Sequence, residues 1–259
     1  MDYINREFIE ECISIIKESG EIIKNNWLKP HNIHHKGSVD LVTETDFAVE
    51  KFLKEKLKNL LPNASFLAEE SSSDSDKPEK LCWIIDPVDG TTNFVHRIPQ
   101  VGTSVALWDG EKIVFGMVNA PILDEYYWAY LGGGAFMKDT KIHVSSINEL
   151  TDSLVCTGFP YEMMGKKEQI IKWLDSVLPK TQGLRRLGAA SIDLCYVASG
   201  KFEAFYEGGL KPWDVGAGWL IVEEAGGKVT NLLGSRYMFG DILLASNGYV
   251  HEAMLTLLN

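Results

Sequence analysis

The chain of 259 residues is sparing with cysteine: Cys12, Cys82, Cys156 and Cys195 are the only four, and none belongs to a Cys-x-x-Cys pair. Each sits among apolar neighbours, so they read as buried free thiols rather than disulfides or zinc ligands. There is no long basic run, and the formal net charge is −11. Nonspecific nucleic-acid binding needs an electropositive surface, so no direct nucleic-acid partner is expected. No apolar run approaches the ~20 residues of a transmembrane helix. The opening Met1-Asp2-Tyr3-Ile4-Asn5-Arg6-Glu7 is mixed polar and charged, unlike a signal peptide. The expectation is a soluble, cytoplasmic protein with no membrane contact. His31, His34 and His35 share a polar loop but lack the thiols or His-Glu spacing of a zinc site. Gly132-Gly133-Gly134 lacks the lysine and helix of a P-loop and reads as a strand-to-strand turn.

What is present is a large apolar share, 45% of residues, enough for one large domain or two subdomains with a common interface. Ile4, Phe8, Cys12, Ile16, Ile23 and Trp27 recur at helical spacing, with Gly20 expected to weaken, interrupt or split the element. A second helix carries Val49, Phe52, Leu53, Leu57, Leu60 and Leu61 on one face. Residues 101–108 and 113–118 read as strands joined by the hairpin signal Asp109-Gly110, and 126–131 as a further strand. This meander predicts a mainly antiparallel sheet with helices on one face. The composition turns polar around Lys141 to Thr151, which places a subdomain boundary there, with 1–145 and 146–259 as the two parts. The second part alternates short strands (153–157, 183–187, 202–206, 228–231, 242–245) with helices (166–178, 190–198, 215–225, 249–258), the pattern of an α/β layer.

The most informative stretch runs from Trp83 to Phe94, Trp-Ile-Ile-Asp-Pro-Val-Asp-Gly-Thr-Thr-Asn-Phe. Its short apolar start reads as a buried strand. Pro87 cannot continue a ladder, so the chain is expected to leave the sheet just after Asp86. Asp86 and Asp89 then stand three residues apart in a turn. Gly90 permits close backbone approach, and Thr91-Thr92 suits a helix start, whose free N–H groups attract anions. Two hard carboxylates beside an anion-binding turn describe a site for a metal and a phosphate together. Three other places carry carboxylates at element ends. Thr43 and Asp46 have capping-box spacing. Phe66-Leu67-Ala68 ends in Glu69-Glu70, which on a surface would be a solvated loop, and residues 71–80 read as an exposed loop. Asp214, after Trp213, stands where a helix cap is usual. Arg185-Arg186 and Lys166-Lys167 are each open to being an interaction patch, with solvated charge as the default reading.

Asp-Pro-Val-Asp-Gly-Thr-Thr-Asn-Phe resembles the metal-binding signature of the inositol monophosphatase family, in the wider group of lithium-sensitive, magnesium-dependent phosphatases. Asp40-x-Val42-Thr43-x-x-Asp46, Ala68-Glu69-Glu70 and Trp213-Asp214 followed by Glu-Ala-Gly-Gly resemble that family's other motifs in order, with Ala68 where a glycine is usual. The Lys211-Pro212 pair is more like bacterial members. The resemblance implies an α/β (α+β) fold, a layered αβαβα sandwich whose N-terminal half is mainly antiparallel sheet with helices and whose C-terminal half is α/β. It implies two or three Mg²⁺ ions: one at Glu69, Asp86 and the Val88 carbonyl, a second at Asp86, Asp89 and Asp214, and a weaker third at Glu69. It implies that Asp46 hydrogen-bonds Thr91, that Glu69 and Thr91 help activate water, and that backbone at Gly90 and Thr91 holds phosphate. Asp89, Ala190 and Glu207 face substrate hydroxyls, and Lys36 matches a lysine in a loop over the site. The implied activity is hydrolysis of a phosphate monoester by activated water. No Cys-x5-Arg nucleophile is present, so no covalent intermediate is expected. Inositol 1-phosphate is the leading substrate. Fructose 1,6-bisphosphate, adenosine 3′,5′-bisphosphate and histidinol phosphate are the alternatives, and a regulatory partnership with the transcription machinery is a reading of another class. A homodimer is the family expectation.

Overall fold

A computed structural model describes residues 4–29, 33–35, 41–73, 76–78, 80–160 and 165–259. In chain order the elements of the first part are α1 (Arg6–Asn26), β1 (Ile33–His35), β2 (Leu41–Thr43), α2 (Glu44–Leu60), β3 (Ser65–Ala68), β4 (Leu81–Asp89), α3 (Thr91–His96), β5 (Gly102–Asp109), β6 (Ile113–Ala120), β7 (Glu125–Tyr130), β8 (Gly134–Met137) and β9 (Thr140–Ile142). Then follow β10 (Leu154–Thr157), α4 (Lys167–Val177), β11 (Gly183–Arg185), α5 (Ala190–Ala198), β12 (Ala204–Glu207), α6 (Pro212–Glu224), β13 (Lys228–Asn231), β14 (Leu243–Ser246) and α7 (His251–Leu258).

Strands β3 to β9 form a seven-stranded sheet in sequence order. Every neighbouring pair is antiparallel except β3 with β4. The second sheet has five strands in the order β11-β10-β12-β14-β13. Its β10 is parallel to both neighbours, while β14 runs antiparallel to β12 and β13. Helices α1 and α2 bury their apolar stripes on one face of the large sheet, Phe8, Cys12, Ile16 and Ile23 meeting Leu53, Leu57, Trp83 and Phe115. The other face is not solvent. There α5 and α6 form a middle layer whose Leu194, Ala217 and Leu220 join residues of both sheets in one core. Helices α4 and α7 cover the far side of the small sheet through Trp173, Val177, Met254 and Leu258. The result is an αβαβα sandwich of mixed α/β class, and the large sheet carries helices on both faces rather than on one. The middle layer is apolar all round, as a helix enclosed between two sheets must be.

Two local expectations give way. Helix α1 runs unbroken through Gly20 for 21 residues. Its stability comes from a buried stripe and from Asn5, whose Oδ1 accepts the Phe8 N–H at 2.9 Å, and these outweigh one weak helix former. Asn119 packs against that turn and donates to the Ile16 carbonyl at 3.2 Å. Strand β4 likewise does not end at Asp86. The ladder pairs Asp86 with Ser104, skips, and resumes with Asp89 opposite Gly102. Pro87 sits inside this irregularity, where its missing N–H leaves no ladder bond unmade, and its carbonyl accepts from Thr103 Oγ1 at 2.9 Å. Elsewhere the differences are at element ends. Helix α6 begins three residues before the expected Val215, and that places Pro212 at its first position and Asp214 inside its first turn. The Gly132–Gly134 run is indeed the β7–β8 turn, and all four cysteines are buried and free.

A buried histidine stitches α7 to the small sheet. His251 Nε2 lies 2.8 Å from Thr230 Oγ1 and its Nδ1 lies 2.8 Å from Ser246 Oγ. Thr230 Oγ1 gives its own proton to the Asn231 carbonyl, so Nε2 donates and Nδ1 accepts the Ser246 proton. Both nitrogens are used by the neutral ring, and burial lowers its pKa from 6.5 to about 4. The unfolded chain therefore binds the extra proton first, and this contribution to stability is complete above pH 6.5 and lost as pH falls through 4. In denaturant unfolding, wild type should lose about 2 kcal/mol relative to His251→Gln between pH 7 and 5. Parallel pH profiles for the two proteins would remove the assignment.

Candidate active site

Four carboxylates from three places in the chain meet at one cleft: Glu69 after β3, Asp86 and Asp89 on β4, and Asp214 in α6. The β4 irregularity brings the first pair there. Because the ladder slips between Asp86 and Asp89, both side chains point to the cleft although a regular strand would send residues three apart to opposite faces. Glu69 continues beyond β3 through its N–H, which donates to the Ile85 carbonyl at 3.1 Å. Ala68 is fully buried in the α1–α2 core. Asp214 is delivered by α6, whose first turn is pinned to β5 by Ser104 Oγ donating to the Trp213 carbonyl at 3.0 Å. That helix lies unusually close to the sheet: a Cβ on Gly116 would stand 2.9 Å from Ala217 Cα.

Each aspartate has one oxygen fixed by a donor. Asp86 Oδ1 accepts the Val88 N–H at 3.1 Å, Asp214 Oδ2 accepts the Lys211 N–H at 2.6 Å, and Asp89 Oδ2 accepts both the N–H and hydroxyl of Ser191 at 2.8 and 2.5 Å. Burial pushes all three pKa values up. For Asp86 the charges of Glu69, Asp89 and Asp214 add to this. Asp89 rises to about 6, with the Ser191 donors pulling it down. Asp214 is held well above the usual range by burial, against the Lys211 N–H and with Asp89 and Glu69 raising it further.

Gly90, at φ 88°, turns the chain from β4 into α3 through the left-handed region that glycine adopts without strain. Thr91 Oγ1 then lies 3.1 Å from Asp46 Oδ1 and 3.0 Å from the Val88 carbonyl. Asp46 caps α2 as expected, its Oδ2 accepting the N–H and hydroxyl of Thr43 at 3.0 and 2.6 Å. Burial raises its pKa to about 6, the Thr43 donors opposing and Glu69 adding. Ala190 opens α5 at the cleft, and Glu207 ends β12 there, nearly buried and with its carboxyl pushed well up by burial and then by Asp214. Val88 also lines the cleft. Lys36, Asp40 and His31 lie outside the described residues.

Several participants carried no role in the sequence reading. Ser191, the hydroxyl in the first turn of α5, ties Asp89 to that helix. Asn93, quoted only as a letter of the motif, donates through Nδ2 to the Gln100 and Leu187 carbonyls, each at 2.8 Å, and staples α3 to the loop before α5. Asp193, a carboxylate in an apolar helix, lines the cleft with its Oδ1 unpartnered, and burial lifts its pKa to about 8. Arg186 is exposed, in keeping with solvated charge, and also borders the cleft.

The donor set is all oxygen, which suits a hard divalent cation such as Mg²⁺. Among the described residues no three His, Cys, Asp or Glu side chains are already drawn together as a cage. The carboxylates stand along the cleft wall instead, and a divalent cation held by them would relieve the repulsion that adds to their raised pKa values.

A carboxylate-walled cleft at the meeting of the two sheets, with backbone and a hydroxyl poised at a tight turn, defines a phosphoric monoester hydrolase. Comparison with known proteins agrees and is more specific. Residues 4–259 match the inositol monophosphatase family, and the chain belongs to that family. Inositol monophosphatase 2 of Solanum lycopersicum is 40% identical over 266 residues, covering 98% of each chain. The inositol-1-monophosphatase of Caulobacter vibrioides is 39% identical over 227 residues, covering 86% of this chain and 89% of that one. The Thermotoga maritima IMPase superposes with a TM-score of 0.86 at 31% identity, over 95% of this chain and 94% of that chain. No helix among the described residues is long and apolar enough to cross a membrane.

The Ser191–Asp89 pair generates a test. Ser191→Ala removes the hydroxyl and keeps the N–H bond. It should weaken Mg²⁺ binding roughly 10-fold, the usual scale for removing the group that orients a ligand, without altering the circular dichroism spectrum. Unchanged Mg²⁺ affinity in a calorimetric titration would show that Ser191 does not position Asp89.

Proposed function

We propose that the chain is a Mg²⁺-dependent phosphatase whose best substrate is inositol 1-phosphate. The observation that carries this reading is the convergence of Glu69, Asp86, Asp89 and Asp214 on one cleft beside Gly90 and Thr91. Glu69, Asp86, Asp89, Asp214 and the Val88 carbonyl would hold Mg²⁺, which supplies a water of lowered pKa and neutralises charge on the phosphate and leaving oxygen. The chain's own residues do the positioning. Thr91 Oγ1 directs its single proton to Asp46 or to the Val88 carbonyl, so its lone pairs are turned to receive a proton from water. Asp46 fixes that orientation because its other oxygen is held by Thr43. Glu69 stands beside it as the second acceptor. N–H groups at Gly90 and Thr91 are placed to hold phosphate oxygens. Asp89, Glu207 and the Ala190 backbone are the acceptors and small surface against which a polyol's hydroxyls would lie.

Phosphate release from inositol 1-phosphate tests this directly. Release should require Mg²⁺ and be suppressed by millimolar lithium. Asp89→Asn should lower turnover by at least 10³-fold, the scale of losing a principal electrostatic group, with the fold intact by circular dichroism. Wild-type activity in that variant would refute the site. Release only from fructose 1,6-bisphosphate or a nucleotide phosphate would keep the chemistry and change the substrate. Light scattering tests the homodimer expected alongside. A second reading is prompted by a Neisseria meningitidis relative, 42% identical over 222 residues, that carries a provisional Nus factor name, SuhB. A regulatory partnership with the transcription machinery would show as RNA polymerase or an elongation factor retained on the immobilised protein, and would coexist with catalysis.

A further inference from the structure

Glu207 closes β12, and Gly158 is the first residue after β10, its parallel neighbour. The register pairs Thr157 with Tyr206, and Thr157 Oγ1 donates to the Tyr206 carbonyl at 2.8 Å. Gly158 and Glu207 are therefore the next residues along two locked strands, at the carboxyl ends where ligands of α/β sheets commonly lie. Both line the cleft. Glu207 is 9% exposed, and among the described residues no donor is hydrogen-bonded to its carboxyl. A carboxyl buried without a donor is costly, and this one faces a cleft whose occupant can supply it.

Backbone geometry does not explain a glycine at 158. Its φ lies outside the left-handed region, so no turn requires the residue. What it supplies is space. A Cβ there would lie 2.5 Å from Glu207 Oε1 and closer still to Oε2 and Cδ. Atoms cannot share that volume, so a side chain at 158 would displace the carboxyl. The nearest neighbours of that Cβ all belong to the end of the Glu207 side chain and none to backbone. The acceptor would therefore yield, and the sheet would not. We propose that Gly158 determines specificity: by leaving room for the Glu207 carboxyl in the cleft, it selects phosphate esters whose alcohol carries further hydroxyls over those whose alcohol has none. This rests on the reading of Glu207 as an acceptor for a polyol's hydroxyls, and adds the residue that keeps the acceptor in place.

The full chain with Mg²⁺ is assayed for kcat/KM on inositol 1-phosphate and on phenyl phosphate, whose ring carries no hydroxyl. The readout is the ratio of the two. Gly158→Ala should lower it roughly tenfold, the scale of losing a hydrogen bond to a charged group, mainly by raising KM for inositol 1-phosphate. Glu207→Ala should lower it by a similar factor. The double variant should fall no further, because both single changes remove the same acceptor. A ratio unchanged in Gly158→Ala beside a lowered one in Glu207→Ala would overturn the proposal and keep the Glu207 reading. Losses that multiply in the double variant would overturn it too. An unchanged ratio in Glu207→Ala would remove that reading and the proposal with it. Should Gly158→Ala lose its native circular dichroism spectrum, Glu207→Ala in the same chain should restore it. Failure to do so would overturn the proposal, since the glycine would then serve the backbone and not the carboxyl.

Discussion

Everything at the cleft depends on keeping carboxylates together in a place that disfavours their charge. Burial raises the pKa of Asp46, Asp86, Asp89 and Asp214, and the charge of Glu69 adds to each. The fold answers with fixed donors on the far side of each group: the Val88 N–H for Asp86, Ser191 for Asp89, the Lys211 N–H for Asp214 and the Thr43 pair for Asp46. These hold the side chains in place and soften the repulsion. They leave the wall charged enough to attract a divalent cation, which completes the balance. The donors come from β2, β4, the start of α5 and the residue before α6, so these four places must be assembled before the carboxylates are held.

The candidate ligands stand out in the sequence because they are clustered in short motifs at element ends, where turn and cap chemistry is distinctive. Asp86, Asp89 and Gly90 could be placed around a turn from Pro87 and the flanking apolar run. The layered architecture came through resemblance, not periodicity. The meander alone suggested a sheet covered on one face, because the partner surface, α5 and α6, is contributed by residues far along the chain, from Ala190 onward. Helix α5 shows why such long-range partners hide. Its residues are apolar on all sides, so nothing in its own pattern says which sheet it meets or that Ser191 turns to Asp89.

The local misreadings have a shared cause. Gly20 and Pro87 were given their intrinsic preferences, and tertiary contacts prevailed over both. A buried stripe on either side of Gly20 keeps α1 continuous. Pro87 is accommodated where the ladder slips, and that slip is what aims Asp86 and Asp89 the same way. Pro87 makes no ladder bond, yet it does not end the strand, because the pairing resumes at Asp89. Arg186 is solvated as read, but a charged pair in sequence carries no mark of the Phe159 ring or of the cleft it borders.

The near contact between Gly116 and Ala217 has a consequence for how such a protein can change. With backbone set almost against backbone, α6 cannot slide or tilt without opening a gap in the sandwich, and the depth at which Asp214 sits is fixed with it. The floor of the cleft is thus a rigid platform, indifferent to the molecule above it. Divergence in what is accepted has room at the rim, where Phe159 and Arg186 border the cleft outside that helix.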